Sequence, residues 1–240
     1  MNILITGSKG FIGRNLIEKL SKESKYDIIT FDADDSIQKI YKNVDNVDCI
    51  VHLAGVCRTT KKENFIETNV GLTEELVSLV KNKNIPFVFS SSIQATLDND
   101  YGKSKLIAEE TVSTLGVNGF ILRFHNIFGK WAKENHHSVV ANFCYNAVRN
   151  LPLRIDNPNV EIEFIYIDDV IELIMSIINS KIKNPCKPIY VEKRYKVKIG
   201  DLASIITSFS SGFIPSPEEE FLEKLYITYN NYLEEYKNNI

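Results

Sequence analysis

The chain has 240 residues, 44% of them hydrophobic and 25% charged, with a formal net charge of −3. This composition excludes a disordered or collagen-like chain, and the mild acidity argues against the broad basic footprint of a nucleic-acid binder. No window approaches the roughly 18 apolar residues of a membrane span, and the start MNILITG lacks the charged n-region of a secretory signal, so a cytoplasmic protein is expected.

Met1–Thr6 is a continuous apolar run and reads as a first, buried strand. Thr6-Gly7-Ser8-Lys9-Gly10-Phe11-Ile12-Gly13 follows, spaced GxxGxxG, and Phe11–Lys22 then has helical spacing. Glycines let such a turn tighten and let its backbone approach a pyrophosphate. The helix N-terminus adds unpaired N–H groups and partial positive charge. Gly7, Gly10, Phe11, Ile12 and Gly13 are therefore candidate dinucleotide contacts. Tyr26–Phe31 reads as a second strand, and Asp32 at its end stands about 20 residues beyond the glycine turn. A carboxylate there can bond ribose hydroxyls and would repel a 2′-phosphate, which favours NAD over NADP.

Cys49–Leu53 is a third strand, Glu63–Lys83 a helix with Leu72, Leu76, Leu79 and Val80 on one face, and Pro86–Phe89 a fourth strand ending in Ser90-Ser91-Ser92. Tyr101–Leu115 is helical and Phe120–Arg123 a fifth strand. Continuous apolar strands separated by helices predict an α/β fold, a doubly wound parallel sheet of the Rossmann type covered on both faces. Residues 1–125 form the expected dinucleotide-binding core. Residues 126–240 form a small C-terminal substrate-binding lobe interleaved with the last core elements. In that lobe Ser138–Asn150 is a helix and Glu163–Tyr166 a strand. Asp168 or Asp169 caps a helix to Ser180, and Gly200–Ser208 is a short helix. Ser216-Pro217-Glu218-Glu219-Glu220 has the form of a helix start, with Phe221, Leu225, Tyr229 and Tyr236 following at helical spacing. Such Tyr- and Leu-rich helices suit either a homodimer interface or the core. Seven basic residues over 181–200 and six glutamates over 217–236 read as two solvated faces of opposite sign or as a self-complementary contact.

Cys49, Cys57, Cys144 and Cys186 form no CxxC pair or zinc spacing, so reduced thiols are expected. His136-His137 has no carboxylate or cysteine at ligand spacing, so no metal is expected. Tyr101-Gly102-Lys103-Ser104-Lys105 places a tyrosine and a lysine on one helical face. The lysine can favour phenolate and let Tyr101 act as an acid or base, while a serine at the end of the preceding strand holds a carbonyl or alcohol oxygen.

TGSKGFIG, the HLAG of His52–Gly55, Asn69, the FVFSSS of Phe87–Ser92 and YGKSK together resemble the extended short-chain dehydrogenase/reductases (the NAD-dependent epimerase/dehydratase family) over roughly residues 1–180. SSSIQATLDNDYGKSK, LRFHNIFGKWAKENHHSVVANFC and the YIDDV of Tyr166–Val170 look closest to the N-terminal reductase domain of bifunctional capsular polysaccharide enzymes that make the UDP-N-acetyl-L-fucosamine precursor. The resemblance implies Ser92, Tyr101 and Lys105 as the catalytic set. Lys105 also bonds the nicotinamide ribose, and Ala54, Gly55 and Asn69 line the cofactor cleft. Asn126 is implied as a substrate-pocket residue. Arg58 and Lys130 are candidates beside it, and Arg123 follows the fifth strand near the same edge.

The expected function is NAD(P)-dependent reduction of the 4-keto group of a UDP-linked deoxy amino sugar in surface polysaccharide biosynthesis. The alternatives are a nucleotide-sugar 4-epimerase and a non-catalytic dinucleotide-binding module. A 4,6-dehydratase carries an acidic pair where this chain has Ile93-Gln94. No cupin histidine cluster is expected within these 240 residues, whose histidines are His52, His125, His136 and His137, so the chain reads as either a stand-alone reductase or a fragment cut just after the linking helix. Trp131 either stacks on a uracil or packs a loop. His52, at the end of an apolar strand, reads as structural.

Overall fold

The computed structural model describes residues 1–57, 65–134 and 138–238. The chain divides into two compact units, Met1–Phe124 with Ile171–Tyr190, and His125–Val170 with Val191–Ile240.

The first unit is built on a five-stranded parallel sheet. Its strands are β1 (Asn2–Thr6), β2 (Asp27–Phe31), β3 (Cys49–His52), β4 (Phe87–Ser92) and β5 (Gly119–Phe124), in the order β2-β1-β3-β4-β5. Continuous burial explains the continuous apolar runs: Ile3, Leu4, Ile5, Ile50, Val51, Phe87, Val88, Phe89 and Leu122 are all in the core. Burying each such side chain contributes about 1.5–3 kcal/mol. Because the strands are parallel and in register (Thr6 beside His52, His52 beside Phe89), their carboxyl ends lie along one edge. That edge collects the glycine turn, the Leu53–Gly55 loop and the serine run, the position where open α/β sheets bind ligands. The sheet is extended past β5 by Ile189, which bridges Leu122.

The helices are α1 (Phe11–Leu20), α2 (Gln38–Asn43), α3 (Leu72–Val80) and α4 (Asp100–Ser113). The predicted helix over 63–83 differs in an important way. Phe65 is helical, Ile66–Gly71 is a π-helical turn that carries Asn69, and Leu72–Val80 is α-helical. The short α2 was not foreseen, since six residues carry too little periodicity.

The second unit has a three-stranded sheet. β6 (Asn126–Phe128) pairs parallel with β7 (Glu161–Tyr166), which pairs antiparallel with β8 (Tyr195–Lys198). Helices α5 (Val139–Ala147), α6 (Ile167–Ile178), α7 (Ile199–Ser210) and α8 (Glu220–Asn238) complete the chain. β6 has three residues and β8 (Tyr195-Lys196-Val197-Lys198) is only half-buried, so neither carries the continuous apolar run that marks the strands of the first sheet. The Ser216 motif forms a turn instead of the helix start. Ser216 N–H donates to the Glu219 carboxylate at 3.3 Å and Glu219 N–H to the Ser216 carbonyl at 2.9 Å, and the helix opens at Glu220. The apolar stripe of α8 is core: Leu225, Tyr229 and Tyr232 are buried.

The two opposite charge runs meet at Lys193–Glu220, whereas Arg194 and Lys196 pair with Glu163 and Glu161 on β7. Asp169, in the first turn of α6, holds the Lys224 ammonium at 3.0 Å, and that ammonium also reaches Tyr195 Oη at 2.9 Å and lies 4.9 Å from the Tyr166 ring. Asp169 thus braces the second unit. Among the described residues, no helix is long and apolar enough to cross a membrane.

Candidate active site

The glycine turn is dictated by close contact. Gly7 has φ +70°, and a Cβ there would lie 2.8 Å from Ala54 N. A Cβ on Gly13 would lie 2.3 Å from the Gly7 carbonyl oxygen. Backbone bonds from Gly7 N–H to Phe31 O (2.9 Å) and from Gly10 N–H to Gly7 O (3.0 Å) close the turn. Gly10 stands at the N-cap of α1 with no side-chain cap, which leaves the first-turn N–H groups to face an anion.

Asp32 is buried under this turn. One carboxylate oxygen accepts the Ser8 hydroxyl and the other the Lys9 N–H at 3.0 Å. It therefore braces the turn while presenting negative charge at the end of β2. The Lys9 side chain reaches outward and pairs with Asp34 at 2.6 Å. That exposed contact contributes little to stability.

Tyr101 and Lys105 open α4, capped by Asn99, whose side chain accepts Gly102 N–H at 2.7 Å. Gly102 between them is required: a Cβ there would meet the Gln94 carbonyl oxygen at 2.1 Å, because the short spacer after Ser92 packs directly on the helix. Sequence spacing treated that position as an unspecified x in YxxxK. Lys105 is buried, donates to the Ser90 carbonyl at 2.9 Å and lies 4.8 Å from the Phe89 ring. Burial pulls its pKa down to about 8. The Ser92 oxygen accepts Gln94 N–H at 3.2 Å, and its hydroxyl favours the phenolate of Tyr101.

The lysine was expected to lower the Tyr101 pKa. Burial wins instead and pushes it up to about 12. A phenol so placed is a proton donor at neutral pH.

Asn69 is buried, with its side chain engaged on all sides. Its Oδ1 accepts Val56 N–H at 2.8 Å, and its Nδ2 donates to Val56 O and to Ser104 Oγ, each at 3.0 Å. Gly55 passes so close that a Cβ there would lie 2.9 Å from the Asn69 oxygen and 3.3 Å from Lys105 Nζ. Gly7, Gly10, Phe11, Ile12, Gly13, Gly55, Cys57, Ser90, Tyr101 and Lys105 line one cleft of about 280 Å³. A glycine cradle that any Cβ would fill, an uncapped helix N-terminus and a buried lysine at the far end together fit a dinucleotide. Ala54 belongs to the same loop, its N–H bonded to Thr6 Oγ1 at 3.1 Å.

In the second unit Asn126 is exposed on β6 and donates to the Glu163 carbonyl at 3.3 Å. The Lys130 ammonium lies 4.4 Å from the Trp131 ring. Trp131 has φ +67° and its N–H donates to Asn231. Arg58 and His136-His137 lie outside the described residues. Arg123 lies within β5. It is bidentate to the buried Glu109 of α4, at 2.8 and 2.6 Å, and Glu109 also accepts the Ser91 hydroxyl. Sequence reasoning missed Glu109, whose only signal is a charge on the buried side of α4. Among the described residues no group of three His, Cys, Asp or Glu side chains could hold a metal.

Residues 3–191 match the model of the NAD dependent epimerase/dehydratase family. The chain is 39% identical over 215 residues to the UDP-2-acetamido-2,6-beta-L-arabino-hexul-4-ose reductase of Pseudomonas aeruginosa, an alignment covering 87% of this chain and 58% of that protein. Its structure is similar to that of the capsular polysaccharide assembling protein CapF from Staphylococcus aureus (TM-score 0.86, 33% identity), covering 97% of this chain and 66% of that one. The chain thus spans less than two thirds of either relative. A NAD complex of UDP-glucuronic acid 4-epimerase from Bacillus cereus shares the fold at 19% identity, with a TM-score of 0.84 over 98% of this chain and all of that one.

Proposed function

Because the chain belongs to the NAD dependent epimerase/dehydratase family, we propose that it reduces the 4-keto group of a UDP-linked deoxy amino sugar, in the cytoplasm, as a step in surface polysaccharide assembly. The observation that carries this reading is the placement of Tyr101 and Lys105 in the same cleft as the glycine cradle, in a chain 39% identical to a hexul-4-ose reductase.

When bound, a reduced nicotinamide dinucleotide supplies hydride for the C4 carbonyl carbon. The glycine turn and the start of α1 hold its pyrophosphate, and the charge of Asp32 favours NADH over NADPH. Tyr101, kept protonated by burial, gives its phenol proton to the oxygen that becomes the C4 hydroxyl. The Ser92 hydroxyl orients that oxygen. Lys105 would donate to the nicotinamide ribose, and its charge would stabilise the tyrosinate as the proton leaves. Asn126 and Lys130 are the candidate contacts to the UDP-sugar.

The test is a panel of UDP-4-keto sugars with NADH and NADPH, followed by nicotinamide absorbance. Stoichiometric oxidation supports the reductase. Sugar conversion without net oxidation sinks it in favour of an epimerase.

A pH profile adds a second check. Lys105 is charged below about 8 and neutral above it, whereas Tyr101, at about 12, keeps its proton throughout. The kcat/KM for the dinucleotide, which reports the free enzyme, should be level through neutral pH and fall as pH rises through about 8. A level profile across that point would remove the lysine charge from the mechanism.

A further inference from the structure

We propose that His52, with Thr6 and Thr73, is a positioning unit for the reaction: a one-way chain of buried hydrogen bonds that ties the strand entering the glycine turn to the π-turn holding Asn69. The inference rests on the dinucleotide-dependent reading above.

His52 ends β3 and is fully buried, with the Phe87 and Phe89 ring centroids 6.0 and 5.6 Å away. The direction of each bond follows from the donors available. The Thr73 hydroxyl donates to the Asn69 carbonyl at 2.8 Å, so toward His52 Nε2, at 2.9 Å, it accepts. The imidazole proton therefore sits on Nε2, and Nδ1 accepts from the Thr6 hydroxyl at 2.6 Å. The Thr6 oxygen in turn accepts Ala54 N–H at 3.1 Å. The chain runs from the Ala54 amide through Thr6, His52 and Thr73 to the Asn69 carbonyl, with one proton per link.

Beyond Asn69 the connection continues. Its side chain clasps Val56 and donates to Ser104 Oγ, and Ser104 donates to the Tyr101 carbonyl at 2.8 Å. A π-helical turn interrupts the regular helical ladder, and such turns concentrate at functional sites. Here the Thr73 hydroxyl engages the Asn69 carbonyl within that interruption. The result links the end of β1, the Gly55–Val56 loop and the first turn of α4.

A neutral imidazole is a condition of this arrangement, because a proton on Nδ1 would take away the acceptor of the Thr6 hydroxyl and reverse that link. Burial, and the Lys105 ammonium (the charged group acting on it), hold the His52 pKa down to about 3. His52 is fully buried and does not line the cleft, so its effect is exerted through Asn69 and Ser104. A leucine or phenylalanine would fill the same space without burying polar atoms at a cost in desolvation. Fixed direction is what the polar chain adds.

Thr73→Val keeps the volume and removes the hydroxyl, whereas Thr73→Ser keeps the hydroxyl. At a temperature well below each variant's unfolding midpoint, Thr73→Val should bind NADH roughly tenfold more weakly in a fluorescence titration and lose roughly tenfold in kcat, with Thr73→Ser close to wild type in both. The nitrogen-15 shifts of His52 should report the Nε2–H tautomer in the wild type and the serine variant. A folded Thr73→Val that binds NADH as the wild type does would overturn the proposal, as would a serine variant behaving like the valine one. Should Thr73→Val not fold, Thr6→Val breaks the chain at its other end and is read in the same way. If the wild type oxidises no NADH with any UDP-4-keto sugar, the proposed function fails, while the titration and the tautomer still decide this inference.

Discussion

Replacing Tyr101 by phenylalanine should lower kcat by about 10³-fold while leaving dinucleotide affinity within about twofold, since a positioned general acid contributes 10²–10⁴. The geometry separates the two effects. Lys105 is held by the Ser90 carbonyl and the Phe89 ring, not by the phenol oxygen, so it keeps its place when the hydroxyl is removed. The Tyr101 ring packs near Phe65, at 6.0 Å between centroids, and phenylalanine preserves that contact. Single-turnover oxidation of NADH, paired with an NADH titration, measures both quantities. A kcat within tenfold of wild type would assign the proton to another group. Lost affinity with normal kcat would make Tyr101 a binding residue only.

Arg123→Met should destabilise the protein by about 3–5 kcal/mol, because it leaves the Glu109 carboxylate buried without its counter-charge. The two side chains are only 14% and 5% exposed, so solvent compensates little. At about 2–4 °C per kcal/mol for a chain of this size, the melting temperature should drop by about 10 °C. Removing both charges, as Glu109→Leu with Arg123→Met, should recover most of that loss, since an apolar pair of similar volume replaces a buried ion pair at little cost. Scanning calorimetry of the single and double variants measures both. A single variant melting with the wild type would mean that Glu109 takes up a proton or water without penalty. Glu109 lies on the helix that carries Tyr101 and Lys105 and is tied to Ser91 of β4, so the pair anchors α4 to the sheet as well as stabilising it.

Much of the first unit is legible in the sequence because each local signal has a short-range cause. The five predicted strand segments became five parallel strands; the inner ones, such as β1, β3 and β4, are continuously apolar because they are covered on both faces, while β2 is a half-buried edge strand. The glycine spacing became a turn in which side chains at Gly7 and Gly13 would collide with backbone. Tyr101 and Lys105 share a cleft because four residues make about one helical turn. The second unit was less legible. Its strand β6 has three residues and β8 alternates half-buried with exposed side chains, so neither carries the continuous apolar run that marked the equally short β3. Ser216-Pro217-Glu218 carries every local mark of a helix start, yet the chain turns once more before α8 begins at Glu220.

The sequence by itself determined the fold class, the glycine turn and the tyrosine–lysine pair, each announced by a local pattern of residue types and spacing. The tertiary structure alone decided the electrostatics. Arg123 was drawn into an ion pair by a glutamate 14 positions earlier in the chain. Burial, not the neighbouring lysine, set the Tyr101 phenol at about 12. His52 became a link of fixed tautomer only because β1 and α3 bring Thr6 and Thr73 to its two nitrogens. Desolvation and hydrogen-bond direction depend on what surrounds a group in space, and sequence neighbours do not specify that.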